Sequence, residues 1–130
     1  MKIRSMTATF GKLDHARLEL GDGLNLIYAP NEGGKSTWAA FWKVMLYGID
    51  TRDRDKKGYL ADKNRYQPWS GAPMEGTMDL EWQDRDITLR RGPKGSAPFG
   101  AFSAVYTGSG EAVDGLTAAD CGETLLGVPC

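Results

Sequence analysis

The chain has 130 residues, with 16 Lys or Arg against 17 Asp or Glu for a formal charge of −1, and 41% of its residues are hydrophobic. This length supports one compact domain, the composition excludes a disordered or collagen-like chain, and the balanced charge excludes a global field toward nucleic acid or membrane. Two cysteines, Cys121 and Cys130, are too few for a disulfide framework and match no zinc spacing, so a cytoplasmic setting is expected. No stretch approaches the roughly 18 apolar residues of a spanning helix and the first residues contain no apolar h-region, so no membrane partner is expected.

Met1 to Phe10 reads as a strand with Met6, Ala8 and Phe10 on one face, ended by Gly11. Ala16, Leu18 and Leu20 alternate again, Gly21-Asp22-Gly23 signals a turn, and Leu24 to Tyr28 is a short apolar run suited to a buried strand. Ser36 to Tyr47 is apolar nearly all round and reads as a helix against a sheet, with Gly48 as its left-handed C-cap. Residues 51–65 hold six basic and three acidic side chains with little periodicity and read as an exposed loop. Met78, Leu80 and Trp82 alternate, as do Ile87 and Leu89, which predicts an antiparallel hairpin turning through Gln83-Asp84-Arg85-Asp86. The Gly and Pro residues between Arg91 and Gly100 predict a loop, followed by a strand over Phe102 to Thr107 and a turn through Gly110. Thr117 and Asp120 have capping-box spacing for a short last helix closed by Leu125-Leu126-Gly127.

The chemistry concentrates between Leu24 and Thr37. From Ala29 the chain reads Ala-Pro-Asn-Glu-Gly-Gly-Lys-Ser, a phosphate-binding loop with Ala where the usual pattern has Gly, lying between an apolar strand and a buried helix. That arrangement points backbone N–H groups and a helix N-terminus at an anion. Gly33 and Gly34 let the backbone wrap phosphates, Lys35 can bridge the β and γ phosphates, Ser36 can hold Mg²⁺ through its hydroxyl, and Thr37 can reach an α-phosphate oxygen. The bland alternative is a flexible Gly-Gly turn before a helix.

The order strand, FGKL, strand, GLNLIYAPNEGGKST, helix to MLYG, then RYQPWSG resembles the amino-terminal part of bacterial SMC-like ATPases. Within these it is similar to the SbcC/RecF-type AAA-domain group and its YhaN-like branch. The resemblance implies an α/β fold: a partial P-loop NTPase core, ABC-ATPase-like, over residues 1–50, joined to an antiparallel β-subdomain over 72–107. It also implies ATP as the nucleotide, with Asn31 and Glu32 in the loop wall and Lys12 approaching the phosphates. The parent function it implies is an ATP-driven clamp in DNA metabolism such as double-strand-break repair. Two heads of that clamp close on ATP, and it commonly pairs with a SbcD-like nuclease. The family's Q-loop glutamine, signature motif, Walker B acids and switch histidine are not found in the sequence, nor is a coiled coil, so a truncated head with little hydrolysis of its own is expected. An exposed sheet edge left by such a truncation favours a homo-oligomer.

Other residues read more plainly. His15 is expected on the surface, and Trp38, Trp42 and Trp82 in core packing rather than base stacking. Contact between DNA phosphates and residues 52–65 is a weaker expectation than a solvated surface. Two rival readings are a non-catalytic P-loop-fold module that binds a partner through the basic loop or sheet edge, and a different P-loop enzyme such as a transporter-type ATPase or a kinase.

Overall fold

A computed structural model describes residues 1–20, 35–49, 66–68, 70–95 and 97–127, without the side chains of residues 35, 36, 97 and 98. The expected strand at Leu24–Tyr28, most of the phosphate-binding loop and the basic loop at 51–65 lie outside these residues.

The described elements are β1 (Lys2–Phe10), β2 (Leu13–Glu19), α1 (Lys35–Tyr47), β3 (Glu75–Trp82), β4 (Arg85–Lys94), β5 (Ala97–Tyr106) and a short α2 (Cys121–Leu126). The strands form one five-stranded sheet in the order β2-β1-β3-β4-β5, with every pair antiparallel. β1 pairs with β3 from Lys2 opposite Glu81 to Thr9 opposite Glu75, so the strands before α1 and the strands after it share one sheet.

Period-two alternation sends Met6, Ala8, Phe10, Met78, Leu80, Ile87 and Leu89 to one face, the register shift between Ile3 and Ser5 brings Ile3 opposite Leu80 on that face, and all are buried. α1 lies over β1, β3 and β4 and packs against α2, closing the core with Trp38, Phe41, Val44, Met45 and Leu46. A Cβ on Gly76 would sit 2.1 Å from Phe41 Cζ, so only glycine lets the helix approach β3 this closely. The opposite sheet face carries polar residues such as Thr7, Arg17, Thr77, Thr88 and Arg90. Trp38 is buried and Trp42 and Trp82 are half-buried against the core, as expected, and His15 is on the surface beside Asp14.

α1 ends as expected: Gly48 has φ +81° and its N–H donates to the Val44 carbonyl at 2.8 Å. Thr117 and Asp120 bond each other as their spacing predicts, with the Asp120 N–H donating to Thr117 Oγ1 at 3.3 Å and the Thr117 N–H donating to Asp120 Oδ1 at 3.2 Å, but in the turn before the helix: the N-cap of α2 is Asp120 rather than Thr117, and its side chain makes no cap hydrogen bond to the helix.

Two further sequence expectations need correction. The β3–β4 hairpin turns through two residues rather than four: Trp82 pairs with Arg85, and Gln83 and Asp84 both adopt positive φ (52° and 61°). This is the mirror-image turn that matches strand twist, built without the usual Asn-Gly. Residues 91–100 are not a loop, since β4 continues to Lys94 and β5 starts at Ala97. Pro93 sits where the register shifts between Gly92 and Lys94, and β5, which holds Pro98, is an edge strand, so neither proline removes a required ladder hydrogen bond.

Candidate nucleotide site at the start of α1

α1 begins at Lys35, so Lys35, Ser36 and Thr37 form its first turn, whose backbone N–H groups have no carbonyl within the helix to bond. An anion placed there meets N–H groups that the helix leaves unpaired and the positive end of the helix, and no residue of that first turn is acidic. Asn31, Glu32, Gly33 and Gly34 lie outside the described residues, as do the side chains of Lys35 and Ser36.

Thr37 is the described member of the loop set, 8% exposed. Its Cγ2 faces Gly11 in the two-residue Gly11–Lys12 turn between β1 and β2, 3.4 Å from where a Cβ on Gly11 would stand. Lys12 is exposed in the same turn. Two segments singled out in sequence, the FGKL turn and the GKST helix start, therefore meet in space.

A third segment meets them. The Gly11 N–H donates to the Tyr66 carbonyl at 2.6 Å, and the Tyr66 ring stacks on Phe10 at 4.5 Å between centroids with planes 14° apart. Phe10 also meets Phe41 of α1 edge-on at 5.6 Å, so the aromatic cluster ties the turn to the helix below it. Within RYQPWSG nothing local gives Tyr66 a role; the available signal is an aromatic residue in a segment rich in turn residues.

At the other end of α1, Arg91 is buried yet faces no carboxylate among the described residues. Its Nε donates to the Met45 carbonyl at 2.7 Å, and its Nη2 donates to the Ala118 carbonyl at 3.0 Å and the Leu46 carbonyl at 3.4 Å. The guanidinium also lies over Phe102 at 4.6 Å. A cation at a helix C-terminus faces the negative end of the helix and satisfies carbonyls left open there. Burial lowers the Arg91 pKa, partly offset by Cys121 beside it. The Cys121 thiol is pushed up to about 11 by burial, which outweighs the nearby cation. It is therefore a packing residue and not a nucleophile.

A separate cleft of about 440 Å³ lies on the sheet and includes the polar-face residues Thr7, Thr9, Thr77, Arg90 and Ser103. It does not include Lys12 or Thr37. Among the described residues no three His, Cys, Asp or Glu side chains form a metal-binding group, and no helix is long and apolar enough to cross a membrane.

Residues 1–67 match the AAA domain family. The chain belongs to that family. The matched span covers β1, β2, α1 and every residue expected at the phosphate site, together with Tyr66. It makes the chain a nucleotide-binding, ATPase-like segment of mixed α/β structure. No curated protein matches the chain.

Proposed function

We propose that this AAA domain chain is the ATP-binding N-terminal segment of an SMC-like ATPase head of the SbcC/RecF type, acting in DNA metabolism such as double-strand-break repair. One observation carries the nucleotide reading: Gly33-Gly34-Lys35-Ser36 runs directly into the first turn of α1, which has no acidic residue to oppose a phosphate. Gly33 and Gly34 wrap the polyphosphate, Lys35 neutralises its β and γ groups, Asn31 and Glu32 line the loop, and Thr37 and Lys12 complete the phosphate contacts.

Mg²⁺ fits this donor set as a hard cation held by the Ser36 hydroxyl, which normally takes its remaining ligands from phosphate oxygens and water rather than from a protein cage. When bound, it supplies charge neutralisation of the β and γ phosphates. Hydrolysis belongs to a dimeric head that contains the Q-loop, signature, Walker B and switch-histidine motifs, which do not occur in these 130 residues. Homo-oligomerisation, DNA engagement and a SbcD-like nuclease partner in the cytoplasm belong to the same reading.

The test is calorimetry with Mg·ATP on the chain and on Lys35→Ala. Binding by the parent chain that falls at least about tenfold in the variant supports the reading, since removing a charge-assisted contact is worth more than about 1.4 kcal/mol. Equal binding, or none in the folded parent chain, rejects it.

A further inference from the structure

We propose that Tyr66 is a positioning residue for the nucleotide site: it clamps the Gly11–Lys12 turn against the first turn of α1, so that Lys12 is presented to the polyphosphate. This rests on the ATP reading above and adds to it a residue outside the phosphate-binding loop. Three contacts carry the inference. Gly11 has φ +60°, a conformation glycine adopts freely, so the turn that bears Lys12 has little intrinsic stiffness. Its N–H is held by the Tyr66 carbonyl at 2.6 Å, and that carbonyl is held by the Tyr66 ring lying flat on Phe10. Gly11 faces both side chains at once, since a Cβ built on it would make ordinary contact, at 3.4 Å, with Thr37 Cγ2 and with Tyr66 Cδ1.

An exposed lysine on a free turn would have to be ordered at the moment of binding, whereas a lysine on a clamped turn has most of that ordering already done. The Tyr66 ring therefore acts on affinity through Lys12 without touching the nucleotide. The arrangement separates the ring from the hydroxyl: stacking on Phe10 needs only the ring, so Tyr66→Phe keeps the clamp and Tyr66→Ala removes it. Tyr66→Leu keeps apolar volume but loses the flat stack, and it tests the same point with less disturbance of the core.

The experiment is a double-mutant cycle read by Mg·ATP calorimetry, with Gly11 amide hydrogen exchange measured on the same proteins without nucleotide. Tyr66→Ala and Tyr66→Leu are expected to weaken binding about tenfold, as does Lys12→Ala, while Tyr66→Phe binds as the parent chain does. In the Lys12→Ala background, removing the ring is expected to change affinity less than about twofold, because the two residues act as one unit. Gly11 exchange should accelerate in the Ala and Leu variants while amides in the β3–β4 ladder keep their protection. The proposal is overturned if ring removal weakens binding equally with and without Lys12, or leaves the Gly11 amide protected. If Lys35→Ala abolishes binding but ring removal does not weaken it, the ATP reading stands and the Tyr66 role alone falls. If the parent chain binds no Mg·ATP, both fall together.

Discussion

Arg91 shows how one side chain can bind distant parts of the chain together. Its guanidinium joins the end of α1 to β4 and to the segment before α2 by bonding the carbonyls of Met45, Leu46 and Ala118. Replacing it with Met keeps apolar volume but leaves buried carbonyls without donors, at about 1–3 kcal/mol for each unsatisfied group. Arg91→Met is therefore expected to lower unfolding free energy by about 3 kcal/mol in urea titration, and a change below 1 kcal/mol would mean the cation is dispensable. Cys121 gives a pH-dependent counterpart. Its pKa, raised to about 11, lies above the ordinary thiol value of 9.0, so the fold favours the protonated form. Its contribution to stability is complete below about pH 9 and is lost as pH rises through about 11. In a Cys130→Ser background, Cys121 should react with a disulfide reagent at pH 8 only on unfolding; prompt reaction in native buffer would contradict this.

Among the elements, α1 depends on a glycine in the strand beneath it. Gly76→Ala would place a methyl 2.1 Å from the Phe41 ring and must displace either the helix or the ring, with an expected loss of about 1–3 kcal/mol in thermal or urea unfolding. An unchanged midpoint would show that α1 sits higher above β3 than described. The elements legible in sequence were those specified locally: alternation at Met6, Ala8 and Phe10 or at Met78 and Leu80 reports a half-buried strand whatever it pairs with. The extent of β4 and β5 was illegible because proline and glycine signal breaks, while the bulge and the sheet edge that accommodate them are properties of pairing. The Gln83-Asp84 turn escaped for a related reason, since its positive φ values follow from the twist of β3 and β4 rather than from residues that favour them. Arg91 escaped too: nothing near it in sequence announces the helix end that it caps.

At the scale of the whole molecule, a helix layer covers one face of an antiparallel sheet, and the start of α1 lies beside the turn between β1 and β2. In sequence the candidate site was legible as motif chemistry, because backbone-wrapping glycines, a lysine and a hydroxyl carry their roles in their identities and spacing. The part played by Tyr66 was not, since it depends on residues 10, 11, 37 and 66 meeting through tertiary packing. The most direct test of the central claim is the backbone amide spectrum of the isotope-labelled chain on addition of Mg·ATP. The account predicts shift changes concentrated at residues 31–37 and at Gly11 and Lys12, with the polar sheet face around Thr77, Arg90 and Ser103 unchanged. Changes centred on that sheet face, or no saturable change in a folded chain, would contradict it.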